Sequence, residues 1–216
     1  MKQLVVPFTP HLFSDSSPQE ASAWLDKLVK NRIDIVPWPE FNYKPEVKFS
    51  IAHNNNCLFI KFYVQEQSAR AVFRKTNDPV YKDSCVEFFI AFNDETVYYN
   101  LEVNILGTCL LGFGTGKTKR ELVPVTCVEK IKHAASLTIQ PVAEGKPVVK
   151  WELTLLIPVE VFCFHQFTSF YGQNCRVNFY KCGDDLPVPH FLSWNKIETA
   201  EPNFHVPEYF GHMQFD

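Results

Sequence analysis

The sequence predicts an all-β protein, an antiparallel β-sandwich with one or two short helices. Three observations support this prediction. Aromatic residues make up 15% of the 216 residues, and they favour half-buried pleated surfaces over helices. Short segments rich in β-branched and aromatic residues follow one another, separated by Asn, Asp, Gly and Pro. Because no helical patterns are interleaved with them, two packed antiparallel sheets are favoured over a parallel sheet.

The bulk composition narrows the class of protein. The hydrophobic content of 46% suits one domain over residues 1–216, with residues 1–32 as an N-terminal extension. A net charge of −3 with scattered lysines argues against nucleic-acid binding. The sequence contains no run of about 18 apolar residues, so no membrane partner is predicted. Seven cysteines without a C-x-x-C pair predict reduced, mostly buried thiols. As it stands, the sequence predicts a cytoplasmic protein, or a secreted or periplasmic one if a signal peptide was removed.

The first predicted element is a short helix. Residues 17–20 read SPQE, a capping box with proline at the first helical position. Apolar residues at helical spacing continue to about Asn31. We expect this helix to pack outside the sheets.

Strands are predicted through most of the remaining chain. An Asn-rich turn at 54–56 separates the first two as a hairpin. Residues 158–167, which begin with Pro158, are the one other segment whose pattern is compatible with a short helix. The predicted strands lie at 47–53, 57–64, 69–75, 84–92, 97–107, 150–158 and 175–182.

The segment LGFGTGKTKR, residues 111–120, contains a GTGKT sequence similar to a phosphate-binding loop. That loop has the spacing G-x-x-x-x-G-K-[ST], which requires glycine at position 111, where this chain has Leu111. A phosphate-binding loop also leads into a helix, whereas residues 117–127 contain Pro124 and β-branched residues typical of a strand. Residues 112–118, GFGTGKT, are therefore predicted to form a flexible turn between strands.

Alternation along the strands places five polar side chains on one sheet face. They are Glu87, Glu102, Asn104, Arg176 and Asn178. Glu87 lies between apolar neighbours and needs a partner, because an unpaired buried charge costs several kcal/mol. With Tyr81 and Phe204 in adjoining loops, this face offers the rings and hydrogen-bonding groups that a sugar requires. Alternation alone is equally compatible with ordinary polar residues on a solvent-facing side.

Four segments carry a resemblance to a known family. In order, they are VYKDSCVEFFIAF, YYNLEVNILG, RVNFYK and HFLSWNKIETAEPNFHVPEYFGHMQF. They resemble successive motifs of the family 9 carbohydrate-binding modules, DOMON-like, jelly-roll-like β-sandwiches that occur attached to xylanases and as stand-alone proteins. The resemblance covers residues 33–216, and its most specific parts are D-S-x-V-E-x-F and the closing S-W…P-x-x-F-G. It implies non-catalytic binding of a mono- or oligosaccharide chain end of a plant-type polysaccharide, with a glycoside hydrolase as a possible partner.

The resemblance also implies a set of binding residues. The xylanase-attached modules hold a terminal sugar between two tryptophans, assisted by a glutamate, an arginine and asparagines. In this chain the tryptophan positions are Tyr81 and Phe204, and Glu102 stands at the arginine position, so an acceptor replaces a donor. A further family tryptophan, Trp194, is expected in the core. The implied carbohydrate-binding set is Tyr81, Glu87, Glu102, Asn104, Asn178 and Phe204.

Alternatives to simple sugar binding stay open. Glu87 and Glu102 on neighbouring strands could form a glycosidase pair, if a cleft separates them suitably. The sandwich could also be structural, with a degenerate sugar site. No catalytic residue is assigned and no cofactor is required. Calcium is the metal that the sequence favours, held by oxygens of the acidic loops at 93–95 and 184–185, away from the cysteines.

Overall fold

The computed structural model describes residues 1–93, 95–140 and 148–216, which form thirteen strands and two α-helices. The helices are α1 (Pro18–Leu25) and α2 (Val125–Val128). The strands are β1 (Gln3–Val6), β2 (Asn31–Arg32), β3 (Glu46–His53), β4 (Cys57–Glu66), β5 (Cys85–Phe92), β6 (Tyr98–Asn104), β7 (Cys109–Gly114), β8 (Arg120–Leu122), β9 (Lys132–Gln140), β10 (Val148–Pro158), β11 (Asn174–Cys182), β12 (Phe191–Ser193) and β13 (Gly211–Phe215).

The strands form two sheets, which confirms the predicted β-sandwich. The larger sheet has the order β1-β13-β11-β5-β6-β7-β8, with β12 also paired to β11. The smaller sheet has the order β2-β3-β4-β10-β9. Pairing is antiparallel between all the described strands except β1 and β13, which run parallel. The first strand of the chain therefore pairs with its last.

The main core fills the space between the two sheets. Phe49 of the smaller sheet stacks on Phe179 of the larger one, with ring centroids 3.8 Å apart. Phe88, on the neighbouring strand, stacks on the other side of the same cluster at 5.0 Å from Phe179. Trp194 is buried against Phe179, as expected. Alternating apolar residues of each strand thus form the core, as the period-2 pattern predicts.

Helix α1 packs outside the smaller sheet. Its capping box is present, because the Ser17 hydroxyl accepts from the Glu20 N–H while the Glu20 carboxylate accepts from the Ser17 N–H. The helix ends at Leu25 rather than near Asn31, since the next residue, Asp26, turns toward the sheet and accepts a hydrogen bond from Lys61 Nζ. In the part of the chain that the structure describes, no helix has the length and apolar character needed to cross a bilayer.

Three predicted elements are wrong. Residues 69–75 form no strand, because backbone N–H groups of Val72 and Phe73 bond to the buried Asp83 carboxylate instead of a neighbouring strand. Residues 158–167 contain one 3₁₀ turn, Val159–Val161, in place of a helix. Residues 117–127, predicted as a strand, contain the short strand β8 but enter the one-turn helix α2 after Pro124. Of the predicted turn at 112–118, residues 115–118 do connect β7 and β8, whereas residues 112–114 belong to β7.

The outer face of the larger sheet is covered by loops and carries a second aromatic cluster. Phe89, Tyr98 and Tyr180 of the sheet pack there with Trp38 and Phe204 of the loops. Of the five polar residues assigned to this face, Arg176 is partly exposed, and the other four are each no more than 5% exposed. The interpretation of this face as an ordinary solvent-facing side is therefore wrong.

Candidate functional site

A pocket of about 370 Å³ lies on this covered face of the larger sheet. The strands contribute Glu87 of β5 and Glu102 of β6 to its lining, and the loops contribute Tyr81 and Phe204. Four of the six implied carbohydrate-binding residues thus line one pocket. Its volume falls in the range of small-molecule sites.

The two glutamates come together because they are direct partners across β5 and β6. Glu87 Oε1 accepts from the Cys182 thiol at 3.0 Å, which is the partner that its burial requires. Burial, together with the charge of Glu102, raises the pKa of Glu87 well above its usual value. Burial raises the pKa of Glu102 to about 7. The raised pKa values of these two carboxyl groups disfavour their ionisation.

Glu102 has one satisfied oxygen and one orphan. Its Oε1 accepts from Asn100 Nδ2 at 2.7 Å, whereas its Oε2 is buried and has no hydrogen-bond partner among the described residues. Buried polar atoms in folded proteins are nearly always paired, by protein, water or ligand. An unpaired acceptor in a pocket marks a place where a ligand donor would be bound favourably.

Arg120 positions the amide that holds Glu102. Reaching from β8, it donates through Nε to Asn100 Oδ1 at 2.8 Å and through Nη2 to the Tyr98 carbonyl at 2.9 Å. Its guanidinium also lies over the Tyr98 ring at 4.3 Å. Gly112 leaves the room for this arrangement, because a Cβ there would lie 2.5 Å from Asn100 Oδ1. The glycine-rich segment thus supports the site through packing and hydrogen bonds.

The aromatic side of the pocket is rigidly held. The Phe204 ring stacks on Tyr180 with centroids 4.1 Å apart and planes at 10°, and the Tyr180 hydroxyl donates to the Phe204 carbonyl. Trp38 packs against the same ring at 5.7 Å. Phe204 is only 9% exposed, so a mainly solvent-exposed stacking ring at this position is excluded. Tyr81 is half-buried and is the more accessible of the two expected rings.

Two implied residues do not line the pocket. Asn104 donates to the Phe73 carbonyl and to Asp83, which fixes the loop over the end of β6. Asn178 bonds the backbone of Asn195 through both ends of its amide. Both side chains are completely buried. Their assignment as direct sugar contacts is therefore replaced by a role in anchoring loops.

The acidic loops do not assemble a calcium site in the described residues. Asp185 pairs with Arg70 at 3.7 Å, and Glu95 pairs with His165 at 3.0 Å. Asp94, in the middle of the first loop, lies outside the described residues. Asp185 and Glu95 thus have other partners.

Another group of metal-ligand types lies beside the pocket. One ligand atom each from Cys85, Glu87 and Cys182 falls within 4.8 Å of the others. Two sulfurs do not suit calcium, which takes oxygen ligands. Burial also raises the pKa of Cys85 to about 11 and that of Cys182 well above its usual value, so both thiols keep their protons. The residues present do not fit the expected calcium ion.

Several pocket residues escaped the sequence analysis. Asn100 alternates with Glu102 and could have been added from the strand pattern alone. Arg120, Trp38 and Asp184 approach from elsewhere in the chain, and no local pattern marks them. Burial and the neighbouring Asp185 raise the pKa of Asp184 to about 6, so the pocket contains a third acid that is slow to ionise.

A β-sandwich whose pocket combines aromatic rings with buried hydrogen-bonding groups has the architecture of a carbohydrate-binding module. The sequence profile of carbohydrate-binding family 9 matches residues 19–215, and the chain belongs to that family. Among curated protein sequences, none matches the chain significantly.

Solved structures agree with this assignment. A crystal structure of a candidate carbohydrate-binding protein from Bacteroides uniformis ATCC 8492 is 36% identical, with a TM-score of 0.91 over 100% of this chain and 99% of that one. Family 9 module structures from Caldicellulosiruptor kristjanssonii, in complex with glucose and with cellotriose, are each 12% identical over 100% of this chain. The alignment covers 96% of the chain in the glucose complex, with a TM-score of 0.55, and 94% of the chain in the cellotriose complex, with a TM-score of 0.57. These values show a shared fold.

Proposed function

We propose that the pocket binds one terminal sugar unit of a mono- or oligosaccharide, with Tyr81 and Phe204 contacting its ring and Glu87 and Glu102 accepting from its hydroxyls. Non-catalytic carbohydrate binding is the function of the family to which the chain belongs. The site residues are our assignment. Binding requires no bond to be made or broken in the ligand.

One observation carries this assignment: Glu102, whose Oε2 has no hydrogen-bond partner among the described residues, lines a pocket that is also lined by aromatic rings. The C–H face of a sugar packs on an aromatic ring, and its hydroxyls supply the donor that the orphan oxygen lacks. Few other small molecules offer both features over so short a distance. The complexes of related modules with glucose and cellotriose make gluco-configured sugars the natural first ligands to test.

Hydrolysis by Glu87 and Glu102 is less well supported. A glycosidase needs one carboxylate that is ionised, as nucleophile or base, and one that is protonated, as acid. Here burial raises the pKa of both carboxyls. Incubation with xylo- and cello-oligosaccharides should leave them intact, and product formation that is lost in Glu87→Gln would revive the enzyme hypothesis.

Titration calorimetry with glucose, xylose and cellotriose tests the proposal. Dissociation constants of about 1 μM to 1 mM are expected for so small a contact. Tyr81→Ala should weaken binding several-fold, since a stacked ring contributes about 1 kcal/mol beyond burial. Tyr171→Ala is the matched control, because Tyr171 is 72% exposed and does not line the pocket. Equal loss in both variants, or no loss in Tyr81→Ala, would refute the site.

Phe204→Ala is a poor substitute for that test. Removing a ring that is 91% buried and stacked on Tyr180 should cost about 3–5 kcal/mol of folding free energy. We therefore expect a clear fall in melting temperature together with weaker binding. A melting temperature equal to that of the native protein would contradict the packing described for Phe204.

The partner enzyme is a finer part of the proposal. The family resemblance supports action beside a glycoside hydrolase of the xylanase type. Such an enzyme should release product faster from insoluble substrate when this protein is added, and a Tyr81→Ala variant should lose that gain. An unchanged rate with both proteins would argue against this partnership.

A further inference from the structure

Resting on the proposed carbohydrate function, we infer that the cognate ligand is an amino sugar, bound with its ammonium group between Glu87 and Glu102. This class of ligand differs from the neutral plant polysaccharides that the family resemblance implies. The inference depends on the charges, the donors and the geometry of the pocket.

Three carboxyl side chains line the pocket, against two basic side chains. Glu87, Glu102 and Asp184 all line it. In the described ranges 1–93, 95–140 and 148–216, no Lys, Arg or His nitrogen lies within 4 Å of an oxygen of these three carboxyl groups. A charged ligand group can therefore approach them without displacing an existing ion pair.

The two basic residues that line the pocket act on these acids only at a distance. The Arg120 donors go to Asn100, to the Tyr98 carbonyl and, more distantly, to the carbonyls of Gly114 and Gly116. Against the effect of burial, the Arg120 charge lowers the pKa of Glu102, and the Lys117 charge lowers that of Asp184. Neither side chain makes a hydrogen bond or ion pair with the two strand glutamates. Glu87 and Glu102 can therefore both bind a ligand without first losing an ion pair.

The donor count favours an ammonium over a hydroxyl. Among the described residues, no donor reaches Glu102 Oε2, and the one side-chain donor to Glu87 is the weak Cys182 thiol. A sugar hydroxyl carries one proton, whereas an ammonium carries three and can serve both glutamates at once. Because the two residues are direct cross-strand partners, their side chains rise from the same point of the sheet.

An ammonium would also resolve the electrostatic cost of burying two acids together. In the free protein, burial and mutual repulsion raise the pKa of Glu87, and burial raises that of Glu102 to about 7. A cation between them lowers both values and allows the pair to ionise. Charge-assisted hydrogen bonds of this kind are about twice as strong as neutral ones.

Calorimetry on matched sugars tests the inference. The probes are D-glucosamine and D-galactosamine, each compared with its 2-hydroxy and its N-acetyl counterpart, in buffer containing EDTA so that no divalent cation contributes. We expect at least one amino sugar to bind about tenfold or more tightly than both counterparts, at a pH where its amine is protonated. Glu102→Gln should weaken amino-sugar binding more than neutral-sugar binding and so abolish this preference. Glu121→Gln is the control, since Glu121 is exposed on β8 and does not line the pocket.

The outcomes separate this inference from the proposed function. If neutral sugars bind and the amino sugars bind no better, the amino-sugar inference is overturned and the sugar site stands. If the preference survives in Glu102→Gln, the ammonium lies elsewhere and the inference is likewise overturned. If no sugar of the panel binds to folded protein, the proposed function falls and this inference falls with it. The wild-type comparison decides the question even if Glu102→Gln folds poorly.

Discussion

Replacing Lys181 with methionine should destabilise the protein strongly. Lys181 lies on β11 and faces the space between the sheets, where its Nζ is 3.0 Å from Glu66 Oε2 of β4. Neither side chain has any exposed area. The ammonium also donates to His190 Nε2 at 2.9 Å and to the Cys182 carbonyl at 2.8 Å. The substitution would leave a carboxylate buried in the core with no cation.

The size of the effect follows from what is left around Glu66. Trp151 still donates to Oε1 at 2.6 Å. His190 is a poor replacement for the lysine: in the native protein burial, the larger cause, and the Lys181 charge lower its pKa to about 3, and the substitution removes only the smaller cause. Breaking a buried ion pair from one side costs about 3–5 kcal/mol. For a domain of this size, that loss lowers the melting temperature by roughly 6–20 °C.

Urea unfolding at pH 7, followed by tryptophan fluorescence, measures this cost. Lys48→Met is the matched control, because the Lys48–Glu46 pair is solvent-exposed and such pairs contribute about 0–1 kcal/mol. Adding Glu66→Gln to Lys181→Met should recover much of the loss, since it removes the unpaired charge and keeps an acceptor for Trp151. The reasoning is refuted if Lys181→Met costs no more than Lys48→Met, or if the two core substitutions are simply additive.

Other predictions concern the pocket and the first helix. Because folding raises the pKa of Glu102 from 4.5 to about 7, the free energy of unfolding should fall as the pH rises from about 4.5 to about 7. Glu102→Gln should reduce this pH dependence, and a pH dependence unchanged in that variant would contradict the raised pKa. Gly112→Ala should weaken sugar binding, because the new methyl group displaces Asn100; binding equal to wild type would show that the Asn100 arrangement is dispensable. Ser17→Ala should cost about 1 kcal/mol in thermal unfolding by removing the helix cap, and no loss would mean that the capping box contributes nothing to stability.

The strands that could be read from the sequence are those with one face in the main core. In residues 100–105 the apolar Leu101, Val103 and Ile105 are buried in the main core and alternate with polar residues, so the pattern is clear. β9 (Lys132–Gln140) was missed because it is an edge strand with almost every side chain exposed, which leaves no apolar pattern. Residues 69–75 have the composition of a strand, but the N–H groups of Val72 and Phe73 donate to the Asp83 carboxylate, a contact that the local sequence pattern does not indicate.

The site divides in the same way. Glu87 and Glu102 could be placed on one face, because alternation fixes the direction of a strand side chain. Their environment could not be derived, since the loop carrying Phe204 covers the face and turns an expected open surface into a buried one. Arg120 reaches Asn100 across β7, a contact that depends on strand order. Alternation gives orientation, and only the topology gives neighbours.

The parallel pairing of β1 with β13 has a consequence for how the protein folds. Gln3 aligns with His212, almost the full length of the chain away. Bringing such distant segments together carries the largest loop-closure entropy in the molecule, so this pairing is expected to form late. Until β1 pairs with β13, β13 is an unpaired edge strand of the larger sheet and can pair with another chain. Deleting residues 1–8 would remove β1 and leave the edge of β13 exposed in the folded protein.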